Sequence, residues 1–425
     1  MKQSLLERQV NEIKLGGLFI LRRKVRSAVK LLVQRFLNAA GIIVTAPIIL
    51  MIVAIRPLKL IRFGTMRSNR IGHFAVDVEA YLCIRDLEQS IHRRVDIIGC
   101  PAPVSNLQLQ KMWDRTLRIT PGDGLWSILD SSTRFWTRGD KHHIKLYDRN
   151  TDYKLFNSME PHLRFTVEEH KCGRELLLKL GIPLGASWIC IHNRDKAYLD
   201  KELGGRWAYH DYRDFNVQSM ISASEELSRR GYYVVRIGSI VEELLKSSDP
   251  KIIDYATSSL RSDFMDIYLL SNSAFYLGSD SGIGFVSSIF RKPVSLINFC
   301  ALELLGNTFA WRPWPLIFKR IWHKEKQRFL SLREFFETGL VRAYETRIFE
   351  EAGVELVCNT SEEIRDLAIE VDERLQGQWQ SFPEDEELQQ RFWDIFRQHA
   401  PKDCVGNIQA RIGASFLRNN TYLLD

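Results

Sequence analysis

From residue 60 onward, apolar positions along the chain alternate between two spacings. Leu60, Ile61, Phe63 and Met66 form a short compact run, and Val76, Ala80, Cys83 and Ile84 then recur at helical intervals. The first spacing predicts a strand and the second a helix over Phe74–Leu87, joined by the polar loop Arg67–His73. The alternation continues with a strand at Arg94–Cys100 and a helix at Asn106–Leu117. Strand-helix order of this kind predicts a parallel sheet. Residues 120–160 mix aromatic and polar side chains (Trp126, Phe135, Trp136, His142, His143, Tyr147) and show neither spacing.

A boundary follows. Thr166-Val-Glu-Glu169 has the form of a capping box, Leu176, Leu177 and Leu180 make the stripe of the helix it opens, and Gly181 and Pro183 end it. A second alternating series then begins. Strands are predicted at Trp188–Ile191, Tyr232–Ile237, Lys251–Tyr255 and Phe275–Leu277, with Val294–Ile297 opening another. Helices are predicted between them, one capped by Asp214 and running to Arg230, and one over Asp263–Ser271. The expected fold class is α/β with two doubly wound, Rossmann-like domains. The expected boundaries are 58–183 for the first domain and 184–376 for the second. Beyond them Val354–Val357 reads as a last strand, Ser361 as the cap of a helix, and 377–425 as a helical return segment carrying Leu388, Phe392, Trp393 and Phe396.

The pattern before residue 58 is different. Ala39–Ile55 is an uncharged run of 17 residues interrupted by Pro47. That is the short limit for a helix crossing a bilayer, and proline favours a kink. Charge sharpens the picture. The chain of 425 residues has a formal net charge of +7, and residues 1–38 hold nine Lys/Arg against Glu7 and Glu12, so this stretch carries the whole excess. A basic stretch leading into an apolar one fits anionic lipid better than nucleic acid. Residues 1–57 are therefore expected to form a basic helix and a membrane-associating segment, monotopic or single-pass, at the cytoplasmic face of the cell membrane. A buried hairpin of a soluble core is the competing reading. The seven cysteines are scattered, without a Cys-x-x-Cys pair, which argues against a disulfide framework and a structural zinc site.

Polar residues at the strand ends supply the candidate chemistry. Phe275–Leu277 leads into Gly278-Ser-Asp-Ser-Gly282 and then into a helix carrying Phe285, Val286 and Ile289. Such a turn presents backbone N–H groups at the carboxyl edge of the sheet, where a phosphate fits. The same turn also suits simple helix capping. Arg194 and Arg236 follow two other strands. One arginine at a strand end is ordinary surface charge, but three successive strand ends of this chemistry suggest a shared anion site. His73, after the first strand, reads either as a general base, with Asp77 one turn later as alternative, or as a surface cap. Asp77-Val-Glu79 falls inside a helix and Asp263-Phe-Met-Asp266 has the wrong spacing for a metal-holding Asp-x-Asp pair. No metal or cofactor is expected.

Four blocks, Arg70-Ile-Gly-His73, Ile191-His-Asn-Arg-Asp195, Gly231–Gly238, and Gly278–Gly282 with Phe290-Arg-Lys-Pro-Val294, together with Arg411–Leu417, resemble a family of bacterial glycosyltransferases associated with surface-polysaccharide synthesis. The Ile-His-Asn-Arg block is more distantly similar to the His-x-Arg motif of fucosyltransferases, although Asn193 stands where a hydrophobic residue is usual. The Ser-Asp-Ser-Gly block resembles the donor site of heptosyltransferases. The resemblance implies the GT-B architecture and a nucleoside-diphosphate sugar as donor substrate. It implies a donor site drawn from Arg194, Asp195, Arg236, Gly238, Ser279, Asp280, Ser281 and Gly282, with His73, Asp77 and Arg194 as catalytic candidates. Sugar would pass to a glycan or lipid-linked acceptor without a metal. Two rivals remain: a nucleotide-sugar epimerase of the same fold, and a membrane-anchored assembly protein without catalysis.

Overall fold

The computed structural model describes residues 40–88, 93–137, 141–146, 153–194, 208–306, 313–406 and 410–425, together with Val25 and Val29. Asp195 and most of the basic stretch at 1–38 lie outside them. The chain divides into two compact units. The first takes in residues up to Arg67, Glu88–Pro103 and Leu117–Leu146. The second takes in Ser68–Leu87, Val104–Thr116 and Tyr147–Asp425.

In the first unit, helix α1 (residues 40–54) precedes strand β1 (Leu60–Thr65), and the helix continues through Pro47. Strand β1 pairs in parallel with β2 (Arg94–Cys100), which pairs in parallel with β3 (Ile119–Pro121). The aromatic stretch that showed no clear spacing contains a helix, α4 (Leu125–Trp136). Ile49 and Ile52 of α1 pack with Phe63 and Trp126 in a small core bordered by Ile61 and Ile97. Among the described residues no helix is long and apolar enough to cross a membrane.

The second unit contains α2 (Ile71–Leu87), α3 (Leu107–Thr116) and α5 (Val167–Lys179). Helix α2 begins three residues earlier than its apolar spacing predicted, so His73 sits in its first turn and not in a loop. The capping box at Thr166 is formed as its sequence implies. The main sheet is parallel and five-stranded: β4 (Trp188–His192), β5 (Tyr233–Arg236), β6 (Ile252–Ile253), β7 (Tyr276–Gly278) and β8 (Val294–Leu296), in the order β6-β5-β4-β7-β8. From β4 the chain winds outward through β5 and β6, then returns to the other side of β4 for β7 and β8. The order therefore reverses between β4 and β7, and ligands in open α/β sheets bind outside the carboxyl ends of strands at such a point. Helices α6 (Ile221–Arg229), α7 (Asp263–Asn272) and α8 (Gly284–Ile289) connect these strands, and β9 (Pro315–Leu316), α9 (Leu332–Glu337) and α10 (Thr346–Glu351) come after them in the chain.

Three local expectations change. Asp214 does not cap the helix ending near Arg230: Asn216 caps the short turn at Val217–Met220 that leads into α6, and Asp214 pairs with Arg194. The cap of α11 (Ser361–Leu375) is Thr360, not Ser361, with Glu363 completing a capping box. Val354–Val357 is a strand, β12, but it pairs antiparallel with β10 (Arg320–His323) in a small separate sheet with β11 (Arg328–Phe329). Helix α12 (Pro383–His399) buries the expected Leu388, Phe392, Trp393 and Phe396.

Candidate functional site

The carboxyl ends of β4 and β7 lie side by side because these strands pair in register, with His192 opposite Gly278. The Ser279 N–H donates to the His192 carbonyl at 3.0 Å, so the pairing continues one residue into the turn. The blocks 192–194 and 279–282, far apart in sequence, are thus neighbours.

Asn193 and His192 turn inward. The His192 ring nitrogen Nδ1 meets the Ile237 carbonyl at 2.9 Å. Burial above all pushes its pKa down to about 4, which leaves the ring neutral at physiological pH. Arg236 at the end of β5 is fully buried. Its guanidinium donates to the Glu243 carbonyl at 2.5 Å, to Asp254 at 3.3 Å and to the Asn193 side chain at 3.0 Å. Arg236 thus braces Asn193 from behind and presents no open fork to a ligand. Gly238 follows β5, one strand away from the switch point.

Arg194 is different. Its Nε lies 3.2 Å from Asp214, without hydrogen-bond geometry. Among the described residues its terminal nitrogens take no hydrogen-bond partner. Burial, with the neighbouring Arg213 charge next, lowers its pKa. Arg213 donates to the Asp280 carboxylate at 2.9 Å and also to the Asp280 carbonyl. Burial opposes its charge, but Asp280 and nearby Tyr212 outweigh that and hold its pKa above the usual arginine value. Lys319, nearly fully buried, donates to the carbonyls of Tyr212 and Asp214 at 2.9 and 2.8 Å. It is brought there by the segment running beside the end of β8, where Lys319 N–H donates to the Phe299 carbonyl. Three cations, Arg194, Arg213 and Lys319, thus stand with two carboxylates, Asp214 and Asp280.

The turn after β7 adds donors. The hydroxyls of Ser279 and Ser281 are buried and have no hydrogen-bond partner among the described residues. Among the described residues no acceptor takes the backbone N–H of Asp280, Ser281, Gly282 or Ile283. A buried donor without a partner is costly, and a cluster of them beside cations is what an anion would satisfy. Helix α8 is only six residues long, so the hydroxyls, N–H groups and arginine carry this reading, with little left to the helix dipole.

The first turn of α2 closes on the same place. A Cβ on Gly72 would lie 2.8 Å from Gly282 Cα, and one on Gly282 would lie 3.0 Å from the Gly72 nitrogen. Only two glycines allow this backbone-to-backbone approach. It sets His73 one residue from the contact. His73 Nδ1 lies 3.2 Å from Asp77, which is almost fully buried, while the ring itself is partly exposed. An aspartate fixed in this way orients an imidazole for proton transfer at its other nitrogen.

Farther along α2, buried Glu79 pairs with Arg291 at 2.6 Å and His162 at 3.0 Å. Burial opposes the charge on His162, but Cys83, Glu79 and Asp86 outweigh it and raise the pKa to about 10. Glu79, Cys83 and His162 bring ligand-type atoms within 4.8 Å of one another. Two cationic side chains already neutralise Glu79, so the cluster is an ion-pair network and a poor host for a further cation.

Arg213 and Lys319 were not singled out from sequence. Lys319 did leave a trace, as the first of two basic residues, Lys319 and Arg320, directly after the apolar run Leu316-Ile-Phe318. Glu303, buried beside the Tyr344 hydroxyl, with neither carboxylate oxygen in hydrogen-bond geometry among the described residues and its pKa pushed up by burial to about 7, also went unnoticed. The hollow lined by Pro313, Trp314, Arg374, Gly377 and Trp379 contains none of these residues.

Fold and site together define an α/β protein with an anion-competent switch point. No family model matches the chain, and no curated protein matches it. Solved structures do. The iron-containing dodecameric glycosyltransferase TibC from enterotoxigenic E. coli is 14% identical, with a TM-score of 0.34, over 61% of this chain and 64% of that one. The chain thus spans less than two thirds of TibC. A glycosyl transferase family 9 protein from Veillonella parvula is 10% identical, with a TM-score of 0.43, over 76% of this chain and 99% of that one. The E. coli ADP-heptose LPS heptosyltransferase II is 12% identical, with a TM-score of 0.30, over 56% of this chain and 84% of that one.

Proposed function

We propose that the protein is a glycosyltransferase that moves a sugar from a nucleoside-diphosphate donor to a glycan or lipid-linked acceptor in surface-polysaccharide synthesis. One observation carries the reading. At the switch point of a doubly wound sheet, the terminal nitrogens of Arg194 face no partner among the described residues, beside two buried hydroxyls that also lack one. Sequence resemblance to glycosyltransferase motifs supports it at the same residues.

The chemistry follows from charge. Breaking the bond between the sugar's anomeric carbon and the diphosphate leaves negative charge on the departing phosphate oxygen. Arg194 stabilises that charge, with Ser279, Ser281 and the N–H groups of residues 280–283 as further donors. Arg213 holds Asp280 and so shapes the turn. The cations and N–H donors take the role a metal would otherwise fill. In a direct displacement, His73, oriented by Asp77, accepts the proton of the acceptor hydroxyl as its oxygen bonds to the anomeric carbon.

Calorimetric titration with nucleoside diphosphates, in chelator, tests this directly. The intact protein binds one of them. Arg194→Ala weakens binding by about 1.5–3 kcal/mol, roughly 10- to 150-fold in Kd. Arg194→Lys recovers only part, because an ammonium lacks the bidentate fork. Unchanged affinity in folded Arg194→Ala moves the site elsewhere. Conversion of a nucleotide sugar without acceptor indicates an epimerase, and no binding at all indicates an assembly protein. Binding that returns only with added divalent metal refutes the metal-independent mechanism.

A further inference from the structure

Helix α1 has two faces, and among the described residues only one is used within the first unit. Thr45, Ile49 and Ile52 are buried. The Thr45 hydroxyl donates to the Ser132 hydroxyl of α4 at 2.7 Å, and the Trp136 indole N–H donates to the Ile42 carbonyl at 3.0 Å. Ile49 and Ile52 complete the core around Phe63 and Trp126. A Cβ on Gly41 would lie 2.3 Å from the Ile128 side chain, so the amino end of the helix also lies close on α4. The helix is fastened along its length.

Its other face is apolar and open. Ile43 is 72% exposed, Val44 76%, Leu50 61% and Met51 60%, with Ile48 also exposed. Val44, Ile48 and Met51 recur at the same intervals as the buried residues, displaced by one position. Phe135 and Trp136 at the end of α4 are exposed too and pack edge to face. An uninterrupted apolar surface of this kind on a folded protein marks an interaction site.

We infer that α1 lies in the plane of an anionic lipid leaflet, with Ile43, Val44, Ile48, Leu50 and Met51 in the acyl region and Phe135 and Trp136 beside them. Charge favours lipid over a second copy of the chain. Arg56 and Lys59 follow the helix, and nine Lys/Arg precede it within residues 1–38. Two identical basic surfaces repel each other, whereas anionic headgroups attract both. The fastening of α1 to α4 and the β1 core excludes a perpendicular span of this helix while the unit stays folded. An interfacial helix beside an indole at headgroup level satisfies every observation.

Vesicle flotation of the full chain tests the inference. Binding is expected to phosphatidylcholine vesicles containing phosphatidylglycerol, and weaker binding to phosphatidylcholine alone. The triple change Val44→Glu, Ile48→Glu and Met51→Glu touches only exposed positions and lowers vesicle binding roughly tenfold or more. Deleting the helix is not a substitute, because it uncovers Phe63 and Trp126. A fluorophore placed at Ile43→Cys, Ile48→Cys or Met51→Cys, in a Cys172→Ser background since Cys172 is exposed, gives depth by quenching from brominated lipids. Equal shallow depth at all three positions supports the inference even if the glutamate variant misfolds. A depth profile deepest at the helix centre overturns it, as do vesicle binding unchanged by the glutamates and glutamates that abolish only self-association. Labels already shielded without lipid show that residues 1–39 cover the face, which overturns it as well.

Discussion

Gly72 and Gly282 set how closely the first turn of α2, which carries His73, approaches the turn after β7. They are 210 positions apart, yet neither tolerates a Cβ without backbone movement, because the nearest atoms are main-chain atoms. Gly72→Ala is therefore expected to destabilise the protein by about 1–3 kcal/mol through overpacking, read as a lower urea midpoint. An unchanged midpoint would show that the first turn of α2 shifts freely. Gly282 has two demands on it, since its N–H also belongs to the donor cluster. A larger residue there would crowd a phosphate approaching those donors. Contact with Gly72 means that it would also displace α2, so an Arg194 variant tests the diphosphate site more cleanly.

At the scale of elements, α2 is anchored at both ends. Its first turn meets the turn after β7, and its middle is clasped through Glu79 by Arg291 and His162. Asp86 near its carboxyl end takes the other His162 nitrogen at 3.0 Å. The charge on His162 therefore matters to how α2 is held. Its folded pKa, about 10, lies above the ordinary 6.5. The stability it contributes is complete below about pH 6.5 and is lost as pH rises through about 10. Denaturation midpoints should fall across that alkaline window, and His162→Gln should flatten the decline. An equal decline in the variant would place its origin elsewhere.

Most elements were legible in apolar spacing. Strand β2 and the buried face of α12 follow it closely. Starts were harder: Gly72 made Arg70–His73 look like loop, and Thr360 and Ser361 are chemically near-equivalent caps. Candidate site residues were legible where they end a strand, as with Arg194 and Ser279–Gly282. Spacing gives no measure of burial or pairing, so Arg236 and Arg194 looked alike in sequence although one is a brace and the terminal nitrogens of the other take no partner among the described residues. Arg213 sits in a segment without periodicity, and only the folded chain shows that it reaches Asp280.

At the scale of the whole molecule, the two compact units are not consecutive in sequence. Helices α2 and α3 belong with the main sheet, whereas the strands that precede and follow them form the other unit. The chain passes between units five times, after residues 67, 87, 103, 116 and 146. Dissection of the protein has to respect this weave. A cut at Gly185 falls at a turn, but it parts Gly72 from Gly282 and Glu79 from Arg291. Fragments 1–184 and 185–425 should each be insoluble alone and should copurify when coexpressed, reconstituting one particle from two polypeptides. If 185–425 folds alone with a native-like melting transition, α2 and α3 are dispensable passengers on the sheet. If it does not, a hydrolytic nick at this turn leaves a split protein whose halves recognise each other.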